Sequence, residues 1–222
     1  MRIDQSCSGI RRCQRDPCKA TMHPAHLGMT RYVRLLLALV LAAPAAAQGT
    51  PTLIRVRIET RLGDIDAELD STHAPVTVAN FVRYVDAHLF DDGIFHRVVT
   101  MANQPTDSIR IEVIQGGVGA ERRAQSFPAI PLERTSVTGL HHGDGALSMA
   151  RNTPNSATGS FFITIGEQPA LDFGGKRNPD GQGFAAFGRV TRGMEIVRRI
   201  QSLPANGQAL VEPVAILRIV RR

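Results

Sequence analysis

The chain has 222 residues and 43% hydrophobic content, enough for a globular core, which sets it apart from disordered chains. Its 26 Lys/Arg against 20 Asp/Glu (formal charge +6) would suggest a nucleic-acid partner, but the excess is local. Residues 1–47 hold seven basic and two acidic residues, and residues 48–222 hold 19 and 18, so net charge gives no reason to expect nucleic-acid binding.

Residues 1–28 show no hydrophobic period and contain all three cysteines, Cys7, Cys13 and Cys18. Their C-x5-C-x4-C spacing, even with His23 and His26 nearby, matches no familiar zinc pattern. This stretch reads as an untranslated or disordered extension, with translation starting at Met29. Residues 29–47 have an Arg-bearing start, an apolar core from Leu35 to Ala43 and an Ala-Ala-Ala end. They read as a secretory signal peptide cleaved after Ala47, because the apolar core is far short of the roughly 20 residues a membrane-spanning helix needs. A retained N-terminal anchor is the weaker alternative. The mature part, residues 48–222, is then a single cysteine-free domain without a stable membrane span, located in the periplasm or secreted, and it must rest on its core alone.

Two alternating runs, Leu53–Ile58 and Leu62–Leu69, with Gly63-Asp64 near the turn, predict a β-hairpin. Pro75 suits a first helical position, and Val78, Phe81, Val82, Val85 and Leu89 repeat at helical spacing up to Asp91-Asp92-Gly93. Short strands follow in "IFHRVV", "IRIEVIQGG", "GALSMAR", "SFFITIG" and "GFAAFGRV". A second helix, "MEIVRRIQ", follows Gly193, and "PVAILRIV" closes the chain as a strand. Many short strands with two helices and no βαβ alternation predict an antiparallel barrel or sandwich with helices at its ends.

Within "IFHRVV", period-2 alternation puts Phe95, Arg97 and Val99 on one face and Ile94, His96 and Val98 on the other. An arginine between two apolar neighbours either snorkels over a strand end or is held for a purpose. His96, on the opposite face, reads as a structural histidine. Of the adjacent pair Phe161 and Phe162, one must face the core and the other must not.

"FHRVV", "VIQGG", "LSMAR", "NSATGSFFI", "QPALD" and "GFAAFGRV" occur in the order and approximate spacing found in the cyclophilins, and the chain resembles a bacterial exported member of that family of peptidyl-prolyl isomerases across residues 52–222. The resemblance implies a mainly β fold, an eight-stranded antiparallel barrel capped by two α-helices, with an active groove on its outer surface. It implies that Arg97 is the principal catalytic residue and that Gln115 orients it. It further implies that Val113, Phe162, Leu171 and Phe184 line a proline pocket, and that the backbone at Ala150 and Arg151 binds substrate. No cofactor and no metal is implied. The partners expected are proline-containing polypeptides, namely exported proteins in the course of folding, met by a monomer.

The sequence departs from the family's pattern in places. "VTMANQPTDSIRIEVIQGG" is longer than the usual connection and reads as an exposed loop beside the groove, marked by Asn103, Pro105 and Asp107. The position of the pocket phenylalanine holds Glu112, which either pairs with Arg97 and holds it or weakens the apolar pocket. Ala170 stands where a tryptophan often precedes "LD", Ser160 where many members have Gln, Phe184 where a histidine is common, and Arg151 where many have Asn.

The function expected is acceleration of X-Pro bond rotation in exported proteins, assisting their folding. The alternative is a catalytically weak module that binds proline-containing or unfolded chains. A metal site at "HHGDG" (His141, His142, Asp144) is a weaker reading, since three ligands lack a fourth. Ser148 in "ALSMA" lacks the G-x-S-x-G elbow of a hydrolase.

Overall fold

The two opening runs pair as β1 (Leu53–Thr60) and β2 (Gly63–Asp70), in register from Leu53 opposite Asp70 to Thr60 opposite Gly63. The Arg61-Leu62 turn between them is tied by the Thr60 hydroxyl, which donates to the Gly63 carbonyl at 2.7 Å and accepts from the Leu62 N–H at 3.1 Å. The computed structural model describes residues 52–222, so the expectations for residues 1–28 and for the signal peptide at 29–47 lie outside the described residues.

Helix α1 (Pro75–Asp86) starts at its proline, as the fixed φ of that residue favours, and buries Val78, Phe81, Tyr84 and Val85. It ends three residues before Leu89, which is buried in the following turn rather than on the helix. No local side chain caps its N-terminus. The Glu133 carboxylate does so from far along the chain, accepting from the N–H groups of Val76 and Thr77 at 3.1 and 2.7 Å and from the Thr77 hydroxyl at 2.6 Å. An anion at a helix N-terminus satisfies orphan donors and meets the positive end of the dipole. Glu133→Ala is therefore expected to lower stability by about 1 kcal/mol, read as a drop of about 2–4 °C in the thermal midpoint.

The remaining elements are β3 (Gly93–Val99), β4 (Val113–Gly117), a one-turn α2 (Thr135–Thr138), β5 (Ala146–Met149), β6 (Ser160–Thr164), β7 (Ala185–Arg192), α3 (Met194–Gln201), β8 (Ala205–Asn206) and β9 (Ala209–Arg221). Short 3-10 turns cover Ala120–Gln125 and Pro169–Leu171. The strand order is β1-β2-β7-β5-β6-β4-β3-β9, and β9 pairs back onto β1 to close an eight-stranded antiparallel barrel, with two-residue β8 hairpinned onto β9. Among the described residues there are two helices of two turns or more, as the periodicity predicts; α2 is an additional single turn that no apolar repeat announces.

Two of the predicted strands depart from expectation by more than two residues. β4 begins at Val113 rather than Ile109, because the preceding residues belong to the inserted loop. β9 begins at Ala209, upstream of Pro213, and the register with β3 jumps from Ala209 opposite Arg97 to Val214 opposite Phe95. Proline cannot donate to a ladder, and it sits inside that irregular step.

The barrel interior is packed around Phe161, whose ring meets Phe81, Phe90 and Phe95 edge-on at centroid distances of 5.4, 5.6 and 5.9 Å. Gly116 makes room for this cluster, since a Cβ there would lie 2.7 Å from the Phe95 ring and 2.7 Å from the Ile94 carbonyl oxygen. Among the described residues no helix is long and apolar enough to cross a membrane.

Candidate active site

The direction of Arg97 is set by a β-bulge. Phe95 lies opposite Gly116 and Arg97 opposite Gln115, so His96 and Arg97 together face one residue of β4. The extra residue breaks the strict alternation expected for "IFHRVV". Phe95 and Val98 point into the barrel core, whereas Arg97 and Val99 point outward. Arg97 therefore shares its face with Val99 but not with Phe95. Bulges next to functional sites commonly re-aim a side chain in this way.

The Arg97 guanidinium is clamped by two neutral amides. Nη1 donates to Gln115 Oε1 at 2.7 Å, while Nε and Nη2 both donate to Gln208 Oε1 at 3.0 and 2.6 Å. Gln115 is held in turn, its Nε2 donating to the Ser160 hydroxyl at 3.3 Å, which itself donates to the Gly116 carbonyl at 3.2 Å. Gln208 lies in the turn between β8 and β9, and its backbone carbonyl accepts from the Val98 N–H at 2.9 Å. Burial, with the nearby Arg177 charge, draws the Arg97 pKa below its ordinary value, and Asp107 opposes this. An arginine remains cationic at neutral pH despite such a shift. Fixed by uncharged oxygens, the guanidinium keeps both its charge and two of its five N–H groups for another partner.

Beside it lies an apolar cluster separate from the barrel core: Val99, Ile111, Val113, Phe162 and Leu171, with Ala150, Ala170 and Phe184 packed against it. One cavity of about 530 Å³ is lined by Arg97, Gln115, Val113, Ala150, Arg151, Phe162, Leu171 and Phe184, so all eight residues converge on a single concavity. Glu112 is the exception among the sequence-selected residues. Ile111 and Val113 turn to the cavity on either side of it, and Glu112 Oε1 instead accepts from Gln201 Nε2 on α3 at 3.3 Å. It neither pairs with Arg97 nor enters the pocket.

Residues 55–221 match the family described as cyclophilin type peptidyl-prolyl cis-trans isomerase/CLD. The chain belongs to this family. It is 36% identical to a peptidyl-prolyl cis-trans isomerase of Streptomyces antibioticus over 149 residues, covering 67% of this chain and 83% of the relative. It is 34% identical to peptidyl-prolyl cis-trans isomerase A of Dickeya dadantii over 169 residues, covering 76% and 80% respectively. In fold it is similar to a Cryptosporidium parvum cyclophilin-type isomerase crystallised in the presence of the dipeptide Ala-Pro, with a TM-score of 0.61 at 23% identity over 76% of this chain and 98% of that one.

Several local features belong to this cyclophilin rather than to the shared motifs. The insertion between β3 and β4 is not simply an exposed loop. Gln104 is only 1% exposed. Its Nε2 donates to the carbonyls of Thr100 and Ile111 at 2.7 Å each, and its Oε1 accepts from the Ile111 N–H at 3.2 Å, which closes the loop and turns Ile111 into a pocket wall. Arg177 ties the same loop to the segment before β7, donating to Asp107 Oδ2 at 2.9 Å and to the Ile109 carbonyl at 2.6 Å. The Arg151 side chain is 1% exposed and pairs with both oxygens of Asp180 at 2.8 and 3.0 Å. It also donates to the Gly183 carbonyl and lies over the Phe184 ring, bracing the segment that carries Phe184.

The three side chains of "HHGDG" do not converge. His141 Nδ1 and His142 Nδ1 each bond to Asp172, at 2.9 and 2.6 Å, whereas Asp144 accepts from Arg198 Nη2 and the Gly166 N–H, both at 2.7 Å. Burial by itself raises the Asp172 carboxyl, but the bonds from His142 and His141 outweigh it and hold the group below its ordinary 3.8. A carboxyl lowered on folding contributes stability that is full above the unfolded value and lost as pH falls through the folded one. Asp172→Asn is thus expected to flatten the loss of thermal stability below about pH 4, measured by circular dichroism melts across that range.

His96 is half-buried, and burial lowers its pKa against a bond to the Ile94 backbone, which leaves it neutral at pH 7. Gln208 is the clamp residue that sequence reasoning passed over. The Asn206-Gly207 pair marks a turn, but nothing local places that turn beside Arg97, 111 positions away.

Proposed function

We propose that residues 48–222 act as an exported peptidyl-prolyl isomerase in which Arg97 is catalytic, Gln115 and Gln208 position it, and Val113, Phe162, Leu171 and Phe184 receive the proline ring. The carrying observation is a cationic guanidinium fixed by two amide oxygens beside an apolar concavity. Twisting an X-Pro amide breaks its N–C=O conjugation, the source of a barrier of about 18–20 kcal/mol. In the twisted state the lone pair returns to the prolyl nitrogen. An N–H aimed there binds the transition state better than the planar ground state, and this difference is what accelerates rotation. The apolar walls hold the ring while the acyl side turns, and the backbone at Ala150 and Arg151 anchors the flanking chain.

Export rests on the Arg-bearing, apolar and small-residue order of residues 29–47, and it makes folding proteins outside the cytoplasm the natural clients. Mass analysis of the protein recovered from its cells should find Gln48 as the first residue; a cytoplasmic chain retaining residues 29–47 would overturn the export reading.

The enzymatic reading is tested by cis-to-trans relaxation of an X-Pro tetrapeptide. Gln208→Ala is expected to lower kcat/KM about tenfold, since it frees Nε and Nη2 of Arg97 while leaving the Gln115 bond in place. The second reading, a weakly catalytic module that binds prolyl chains, is favoured by the Arg177-braced insertion beside the cavity. It predicts peptide binding without acceleration by the folded wild type.

A further inference from the structure

Behind the apolar pocket, a chain of hydrogen bonds joins three residues that the isomerisation chemistry does not use. His142 Nδ1 meets Asp172 Oδ1 at 2.6 Å, and His142 Nε2 meets the Ser148 hydroxyl at 2.9 Å. The His142 N–H of the backbone also donates to Asp172 Oδ1 at 3.2 Å. An ionised carboxylate only accepts, so Nδ1 donates to Asp172, and in the neutral imidazole Nε2 then accepts the hydroxyl hydrogen of Ser148. This is the connectivity of a nucleophile, a base and an orienting acid. Yet Ser148 is 0% and His142 1% exposed, so no substrate reaches the hydroxyl.

The placement of the three residues points to a different use. Asp172 directly follows Leu171, one wall of the pocket. Ser148 is the cross-strand partner of Phe162, another wall. The His142 ring itself lies stacked against Phe162, with centroids 5.9 Å apart and planes 15° apart, and Phe162 in turn meets Phe184 edge-on at 5.3 Å. Both walls are therefore indexed to one buried imidazole whose plane is fixed at each nitrogen. A ring bonded at one end only could tilt about that bond, whereas two opposed bonds remove the freedom.

We infer that His142 is a positioning residue, which, through Asp172 and Ser148, sets the separation of Leu171 and Phe162 and so the fit of the proline pocket. The inference rests on the proposed role of that pocket, and it adds a residue that touches no substrate.

Ser148→Ala is the decisive variant, because it removes one hydroxyl and leaves the barrel core residues in place. Asp172→Asn and His142→Phe accompany it; the latter retains an aromatic ring against Phe162 but neither hydrogen bond. The first readout is free of substrate: the Phe162 ring and Leu171 methyl resonances of the folded protein, which are expected to shift or broaden in all three variants. The second is the affinity for a prolyl tetrapeptide alongside kcat, in protein shown to be folded at the assay temperature. The peptide Kd should rise about tenfold with a smaller change in kcat, as expected when the pocket rather than Arg97 is disturbed. Wild-type resonances and wild-type affinity in folded Ser148→Ala, with only the thermal midpoint lowered, would overturn the inference and leave a purely structural bond. If wild type itself binds no prolyl peptide, the proposed function fails, and the resonances still decide whether His142 sets the two walls. Labelling of Ser148 by a serine-reactive phosphonate in the folded protein would overturn the positioning role in favour of an accessible nucleophile.

Discussion

Arg97→Ala is expected to lower kcat/KM for X-Pro rotation about 10²–10³-fold, the usual cost of deleting one preorganised donor aimed at developing charge. The barrel should remain folded. Arg97 lies outside the core cluster, and its three side-chain bonds go to Gln115 and Gln208, which stand at the cavity and on an exposed turn. Truncation exposes those amide oxygens to a solvent-accessible concavity, where water replaces the lost donor. Arg97→Lys should recover only part of the activity, because an ammonium cannot span Gln115 and Gln208 while presenting further N–H groups in the same plane. Relaxation of a tetrapeptide substrate measures both variants, with circular dichroism confirming the fold. An unchanged rate in folded Arg97→Ala would remove Arg97 from the chemistry and favour the binding-module reading.

The adjacent phenylalanines should give opposite phenotypes. Phe161 is fully buried and edge-on to Phe81, Phe90 and Phe95, so the surrounding barrel can relax only partly into the space it leaves. Phe161→Ala is expected to cost about 3–5 kcal/mol, a large part of a typical domain's stability, and to drop the thermal midpoint by about 10 °C. Its kcat/KM, measured well below that midpoint, should change little. Phe162 is one strand position on and belongs to the pocket cluster. Phe162→Ala removes a central aromatic wall beside a cavity that solvent already reaches, so its main effect should be on prolyl-peptide affinity, a loss of about 30-fold. Its midpoint should fall less than that of Phe161→Ala. Equal loss of stability in the two variants, with intact peptide affinity for Phe162→Ala, would reassign Phe162 to the core.

The contrast between these two residues was legible in the sequence, because period-2 alternation on a strand needs no knowledge of partners. The opposite fates of Phe95 and Arg97 were not. Alternation placed them together, and the bulge that separates them depends on how many residues of β3 face Gln115.

What the sequence determined by itself was the set of elements with a clear period, the first hairpin, α1 and α3, and the ordered motifs that carry the family. Those signals are local: side-chain spacing along one strand or helix, a proline at a helix start, a glycine at a turn. The tertiary structure alone decided that Gln208 clamps Arg97, that Glu133 caps α1, that Glu112 turns to Gln201, and that Gln104 draws Ile111 into the pocket. Three of these bonds join residues more than 50 positions apart, and the fourth forms within an insertion that has no period to read. Polar side chains bind whatever donor or acceptor closure of the barrel brings within about 3 Å, and chain order carries no record of that distance.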